Sequence, residues 1–185
     1  MSDEKVLTKE IAEQFLEDPD ELDIEEFTSM DDGAAEVLSE HQDQLDLHGL
    51  TTLSDAAAEA LSKHNAAIGL NGLTSLSDAA AKALGRHKGE YLDLNGLTSL
   101  SDAAAQALGT LGRDEAYLYL DGLTELSDSQ AKALGMSEGH LSLCGLTSLS
   151  DAAAEYLAKS EGSVSVNHDN LPPSASKILK AAGRY

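Results

Sequence analysis

Tyr91, Tyr117, Tyr119, His140, Cys144 and the trio His41, His64 and His87 are the side chains whose types and spacing invite a chemical reading. His140 and Cys144 suggest a thiol–imidazole pair or half a zinc site. In an extended segment, however, four residues span about 13 Å, too far for one metal ion or a proton transfer. His140 recurs opposite Ser163 one period later, yet no carboxylate is placed to orient the ring and no oxyanion hole is suggested. The three histidines share one repeat position just after a helix. They spell either a metal ladder or, more locally, side chains that complement the helix C-terminus and bond its free carbonyls. GxxxxGK[ST] and GxGxxG are absent, so nucleotide binding has no support. The expectation is a protein that is not an enzyme and carries no metal and no cofactor.

The elements that must position these residues are written repeatedly. The unit L-x-L-x-G-L-T-x-L-S-D-A-A-A-x-A-L starts at Leu22, Leu45, Ile68, Leu92, Leu118 and Leu141, with a partial copy at Val164; the spacings are 23, 23, 24, 26, 23 and 23 residues. Periods of this size mark stacked solenoid rungs rather than one folded-up core. Each unit reads as a short alternating strand, a glycine turn and an alanine-rich helix. Counting the first Leu as position 0, positions 0, 2, 5, 8 and 16 are apolar in all six full copies and line the core. Position 13 is always Ala (Ala35, Ala58, Ala81, Ala105, Ala131, Ala154). Its methyl lets the helix lie close to the strand.

Position 4 is Gly49, Gly72, Gly96, Gly122 and Gly145, a choice expected where the backbone needs a positive φ or a close approach. Ser-Asp at positions 9 and 10, as in Ser101-Asp102, is an N-cap signal. The hydroxyl accepts from an orphan helix N–H and the carboxylate suits the positive end of the dipole. Thr at position 6 (Thr28, Thr51, Thr74, Thr98, Thr124, Thr147) forms a single file that resembles an ice-binding array, but an inward or turn-bonded hydroxyl is the simpler expectation.

Strand side chains alternate, so positions −1, +1 and +3 point out along the concave face. These columns vary while their neighbours stay fixed. Tyr91, Asp93 and Asn95 on one rung, Tyr117, Tyr119 and Asp121 on the next, and His140 and Cys144 on the third would form one patch, since adjacent strands lie about 4.8 Å apart. Tyrosine supplies contact area and a hydrogen bond at low entropic cost, as interfaces require. Cross-strand aromatics also stabilise sheets, and the residues alone leave both readings open. The longest unit carries an insertion, GTLGRDEAY, before Tyr117, read as a rim element or a tolerated bulge.

Both ends look capped. Residues 1–21 read as an acidic N-terminal helical cap, residues 22–163 as six strand–helix repeats, of which the first is irregular, and residues 164–185 as a C-terminal capping repeat whose helix follows Pro172-Pro173 with Ser174 as N-cap. The formal charge is −21, and residues 1–44 hold sixteen acidic side chains against Lys5 and Lys9, a balance of −14. Nucleic-acid binding is disfavoured, because phosphate contacts need a basic face. A basic protein partner fits better. One cysteine excludes an internal disulfide and fits a reducing, cytoplasmic setting. Neither a signal peptide nor a membrane span is expected.

The L-x-L strand, the S-D helix start and the period of about 23 residues resemble leucine-rich repeats. The match is closest to the bacterial BspA-like class, in whose L-T-S-I-G-D-x-A-F segment LTSLSDAAA (Leu73 to Ala81) stands. An Asn ladder after the strand is missing, and Ala or Leu replaces the Phe. The resemblance implies an α/β, right-handed solenoid with a parallel sheet on the concave side, helices on the convex side, and a role in binding proteins or other macromolecules. Three functional readings stay open: a protein or peptide interaction module using the concave face, a structural protein that self-associates, and a carbohydrate or small-molecule binder.

Overall fold

Each written repeat folds into one strand–helix rung in the computed structural model, which describes residues 5–111 and 116–183. In chain order the elements are β1 (Val6–Leu7), α1 (Lys9–Glu17), β2 (Ser29–Met30), α2 (Asp32–Leu38), β3 (Leu45–Asp46), α3 (Asp55–Leu61), β4 (Ile68–Gly69) and α4 (Asp78–Leu84). There follow β5 (Tyr91–Asp93), α5 (Asp102–Leu108), β6 (Tyr117–Tyr119), α6 (Asp128–Leu134), β7 (His140–Ser142), α7 (Asp151–Ala158), β8 (Ser163–Ser165) and α8 (Pro173–Ala182). Strands β3 to β8 form one open parallel sheet in sequence order, with the helices stacked in a second layer. The architecture is an α/β repeat solenoid. Residues 112–115 of the insertion lie outside the described residues.

The sheet register is the repeat register. Leu45, Ile68, Leu92, Leu118, Leu141 and Val164 pair in succession across the sheet. A slip by one residue would turn the leucines of every strand to solvent. All six alanines at position 13 are fully buried, as are Leu47, Leu70, Leu94 and Leu120 on the strand side. Burial of each such Leu is worth about 1.5–3 kcal/mol, and repetition supplies the large core that two Phe and no Trp otherwise could not.

The N-terminal segment is more than a helical cap: it is the second half of a further rung. Leu7, Thr8, Ala12 and Phe15 stand 23 residues before Met30, Asp31, Ala35 and Leu38, and each repeats the role of its successor. Thr8 and Asp31 both cap their helices, Ala12 and Ala35 are both fully buried, and β1 pairs in parallel with β2. The unit that begins at Leu22 puts a 3-10 turn (Ile24–Glu26) where later rungs put a strand. Asp23 caps that turn by accepting from the Glu25 N–H. The turn packs on the turn that follows β3: a Cβ at Gly49 would lie 2.0 Å from the Glu25 carbonyl oxygen.

Close approach, not a positive φ, explains the glycines of position 4. A Cβ on any of them would sit 1.7 to 2.2 Å from a carbonyl oxygen of the preceding rung. Among the described residues the single positive-φ glycine is Gly183, which ends α8 in the left-handed conformation. Ser54, Ser77, Ser101, Ser127 and Ser150 accept from the N–H three residues on, as N-caps do. Each also donates to the position-10 Asp of the rung before it, for example Ser101 to Asp78 and Ser150 to Asp128. The caps therefore tie neighbouring rungs together as well as ending helices.

After the insertion this tie is doubled: Ser129 donates to Asp102 at 2.8 Å and Gln130 to the Leu100 carbonyl at 2.6 Å. The position-6 threonines are exposed or half-buried, and Thr51 and Thr147 donate to the carbonyls of Thr28 and Thr124. At the far end Pro172, not Ser174, occupies the N-cap of α8, without a side-chain cap bond. Pro173 takes the first helical position, where its fixed φ fits and its missing N–H costs nothing.

Candidate functional site: the outer face of the sheet

The side chains singled out from the sequence meet on one surface. Tyr91, Tyr117, His140 and Ser163 follow one another across the sheet, and Asp93, Tyr119, Ser142 and Ser165 form the neighbouring file. Tyr117 stacks on His140 with ring centroids 4.2 Å apart and planes 12° apart. It also lies parallel to Tyr119 at 5.9 Å, and Tyr119 meets Tyr91 edge-on at 6.0 Å. The four rings are thus one connected band over three rungs. Tyr117 is its most open member, with 38 % of its surface exposed. Such contacts stabilise the strand pairs, so the band has a structural share whatever else it does.

A polar line runs beside the rings. Asp93 accepts from the Asn95 N–H at 2.9 Å, Asn95 accepts from the Asp121 N–H at 2.7 Å, and Asp121 accepts from the Cys144 N–H at 2.7 Å. Asp121 also takes the Ser142 hydroxyl at 2.7 Å. Asn95 and Asp121 therefore act as a short side-chain-to-backbone ladder, a device the strand motif does not spell. Burial, and then the charges of Asp46 and Asp93, raise the Tyr91 phenol above its ordinary value. Tyr119 is raised by burial, by Tyr117 and by Asp93 and Asp121. Both hydroxyls stay protonated donors at neutral pH and face negative potential.

His140 Nδ1 bonds to the Ser163 hydroxyl, but the ring's flat neighbour is Tyr117, not a carboxylate. Cys144 is a half-buried free thiol 3.6 Å from the Ser142 hydroxyl. Among the described residues no three His, Cys, Asp or Glu side chains converge as a metal-binding group.

The histidine column corrects its sequence reading. His41, His64 and His87 stack face to face at 6.5 and 6.4 Å with planes 4° and 11° apart. Their nitrogens run side by side, whereas shared ligands must converge on one ion. Nor do His64 and His87 complement a helix dipole as cations. They are 0 % and 7 % exposed, and their ring nitrogens close no well-formed hydrogen bond. Burial lowers the pKa of both, that of His87 to about 4. They are neutral, polar fillers of the interior.

One feature of the sheet face escaped the sequence reading. His48 lies over Gly69, where a Cβ would come within 2.2 Å of its ring, and its Nε2 sits 3.3 Å from Asp46. The signal was available, because Gly69 is the one glycine in its outward column. Three cavities among the described residues lie elsewhere: one of about 520 Å³ between α1 and α2, one of about 450 Å³ between α4 and α5, and one of about 400 Å³ beside Gly85–Gly89 and Thr110. The tyrosine band is an open face. No protein family model matches the chain, and no curated protein matches it.

Proposed function

We propose that this protein is a non-enzymatic interaction module that binds a protein or an extended peptide across the outer face of the sheet. The observation that carries the reading is the connected band of Tyr91, Tyr117, Tyr119 and His140, presented on an open surface outside these three cavities. Small molecules are usually held in concave, largely enclosing sites, so an open aromatic band favours a macromolecular ligand. Tyrosine anchors beside fixed polar groups match the anatomy of interface hot spots. The same reading takes the repeat as leucine-rich-repeat-like, of the bacterial BspA-like kind. It also takes the single free thiol, Cys144, as suited to a reducing cytoplasm.

Peptides selected from a random display library on the immobilised protein provide the test. Bound peptide should shift or protect the backbone amides of β5, β6 and β7 in NMR spectra and leave those of α2 to α4 unmoved. Perturbation confined to the helical layer would reject the site.

A further inference from the structure

The outer columns of β3 to β8 carry Asp46, Asp93 and Asp121 and not one Lys or Arg. The carboxylates are not spread evenly. They sit on the β3, β5 and β6 rungs, beside Tyr91 and Tyr119, while β7 and β8 present His140, Cys144, serines and Asn167. Asp121 is committed to the Ser142 hydroxyl and the Cys144 N–H. Asp46 accepts from the Gln44 side chain at 2.6 Å and lies 3.3 Å from His48, Asp93 accepts from the Asn95 N–H at 2.9 Å, and both stay half exposed. They share a register file with Gly69 between them, so they flank a rung that has no side chain at that point. Tyr91 stands beside this position, which the His48 ring covers, and within the field of both carboxylates. Two carboxylates and two aromatic rings, with no Lys or Arg in these columns and His48 beside Asp46, leave this part of the face acidic.

We infer that the sheet face takes a basic segment of a partner chain, with an arginine side chain laid against Tyr91 and Tyr119 and its guanidinium paired to Asp93 and Asp46. This rests on the binding role proposed above and specifies the partner's chemistry. A guanidinium fits better than an ammonium because it is planar, stacks on aromatic rings and offers forked donors to a carboxylate. His48 already rests against Asp46 over Gly69, and the arriving cation would take over that contact.

The probe is a fluorescein-labelled peptide of alternating Ala and Arg, compared with its citrulline counterpart, which keeps the shape and loses the charge. Fluorescence anisotropy should show saturable binding of the Arg peptide that weakens at least tenfold between 50 and 300 mM NaCl, as opposite-charge association does, and at least tenfold weaker binding of the citrulline peptide. Asp46→Asn with Asp93→Asn should weaken the Arg peptide at least tenfold. Glu13→Gln with Glu17→Gln removes the same charge from α1 and should change affinity less than twofold. Equal losses from both pairs would reduce the effect to general attraction by an acidic protein and overturn the inference. So would equal binding of the citrulline peptide, or no binding of either. If display-selected peptides still depend on Tyr117 and Tyr119 while the aspartate pair is silent, the basic partner falls and the binding face stands.

Discussion

Two stacks of rings run along this solenoid, and they behave oppositely. On the sheet face, Tyr117 and His140 lie 4.2 Å apart with Tyr117 open to solvent. In the turns between each helix and the next strand, His64 and His87 lie 6.4 Å apart and are shut off from it. Both arise because a side chain at a fixed repeat position meets its counterpart one rung later. What separates them is the column's environment: the face is open to solvent and free to vary, whereas the interior column is shut off and neutral at His64 and His87. Leu111, Ser137 and Ser160 occupy the same interior position in later rungs and are equally buried, so burial of this column does not depend on a ring.

The largest effect should come from breaking the interior. Ala105 is fully buried in the core, and Ala105→Phe would overfill it. Overpacking of this size should cost about 3 kcal/mol or more. Circular dichroism should show loss or fraying of the cooperative melt, and an unchanged melt would refute the packing account.

Acid should come next. Above the ordinary histidine value of 6.5, residue 87 is neutral in the folded and the unfolded chain, and its contribution to pH dependence vanishes. Between 6.5 and about 4 the unfolded chain binds a proton there that the folded chain refuses, so stability falls as pH falls. The loss from His87 approaches about 3 kcal/mol once both states are charged. His64, also lowered by burial, adds in the same direction. His87→Leu copies the residue that the next rung places at this position, Leu111. Urea melts at pH 7 and pH 5 should show that this variant loses less stability than wild type between the two. Equal pH dependence would mean that His87 titrates normally.

Smaller effects separate local ties from layers. Ser101→Ala removes both the cap of α5 and the bond to Asp78. The expected cost is about 1 kcal/mol, read as a shift of the urea midpoint. A loss near zero would mean that neither the cap nor the inter-rung bond contributes to stability.

The rungs and the outward columns were legible because each position is written several times in the same environment, so noise averages out and a patch such as Tyr91, Tyr117 and Tyr119 stands out. The half rung at the N-terminus was harder to see. Thr8 replaces Ser and Phe15 replaces Leu, so the pattern falls below what a single copy conveys. Position 4 demanded glycine for either of two reasons. Only the carbonyl of the rung before it, a contact some 20 residues away in sequence, decides for close approach. The histidine column failed for a related reason: its burial is made by the neighbouring rungs, while the dipole reading used only the local helix. Asn95 and Asp121 read as surface groups because their bonds go to the next rung's backbone.

The central claim is that the varied face, not the repeated framework, carries the binding. The most direct measurement is the affinity of a display-selected peptide for wild type and for Tyr117→Ala with Tyr119→Ala, alongside their melting curves. The account predicts a loss above about 2 kcal/mol, close to thirtyfold, with little change in melting temperature. An unaltered affinity would contradict it.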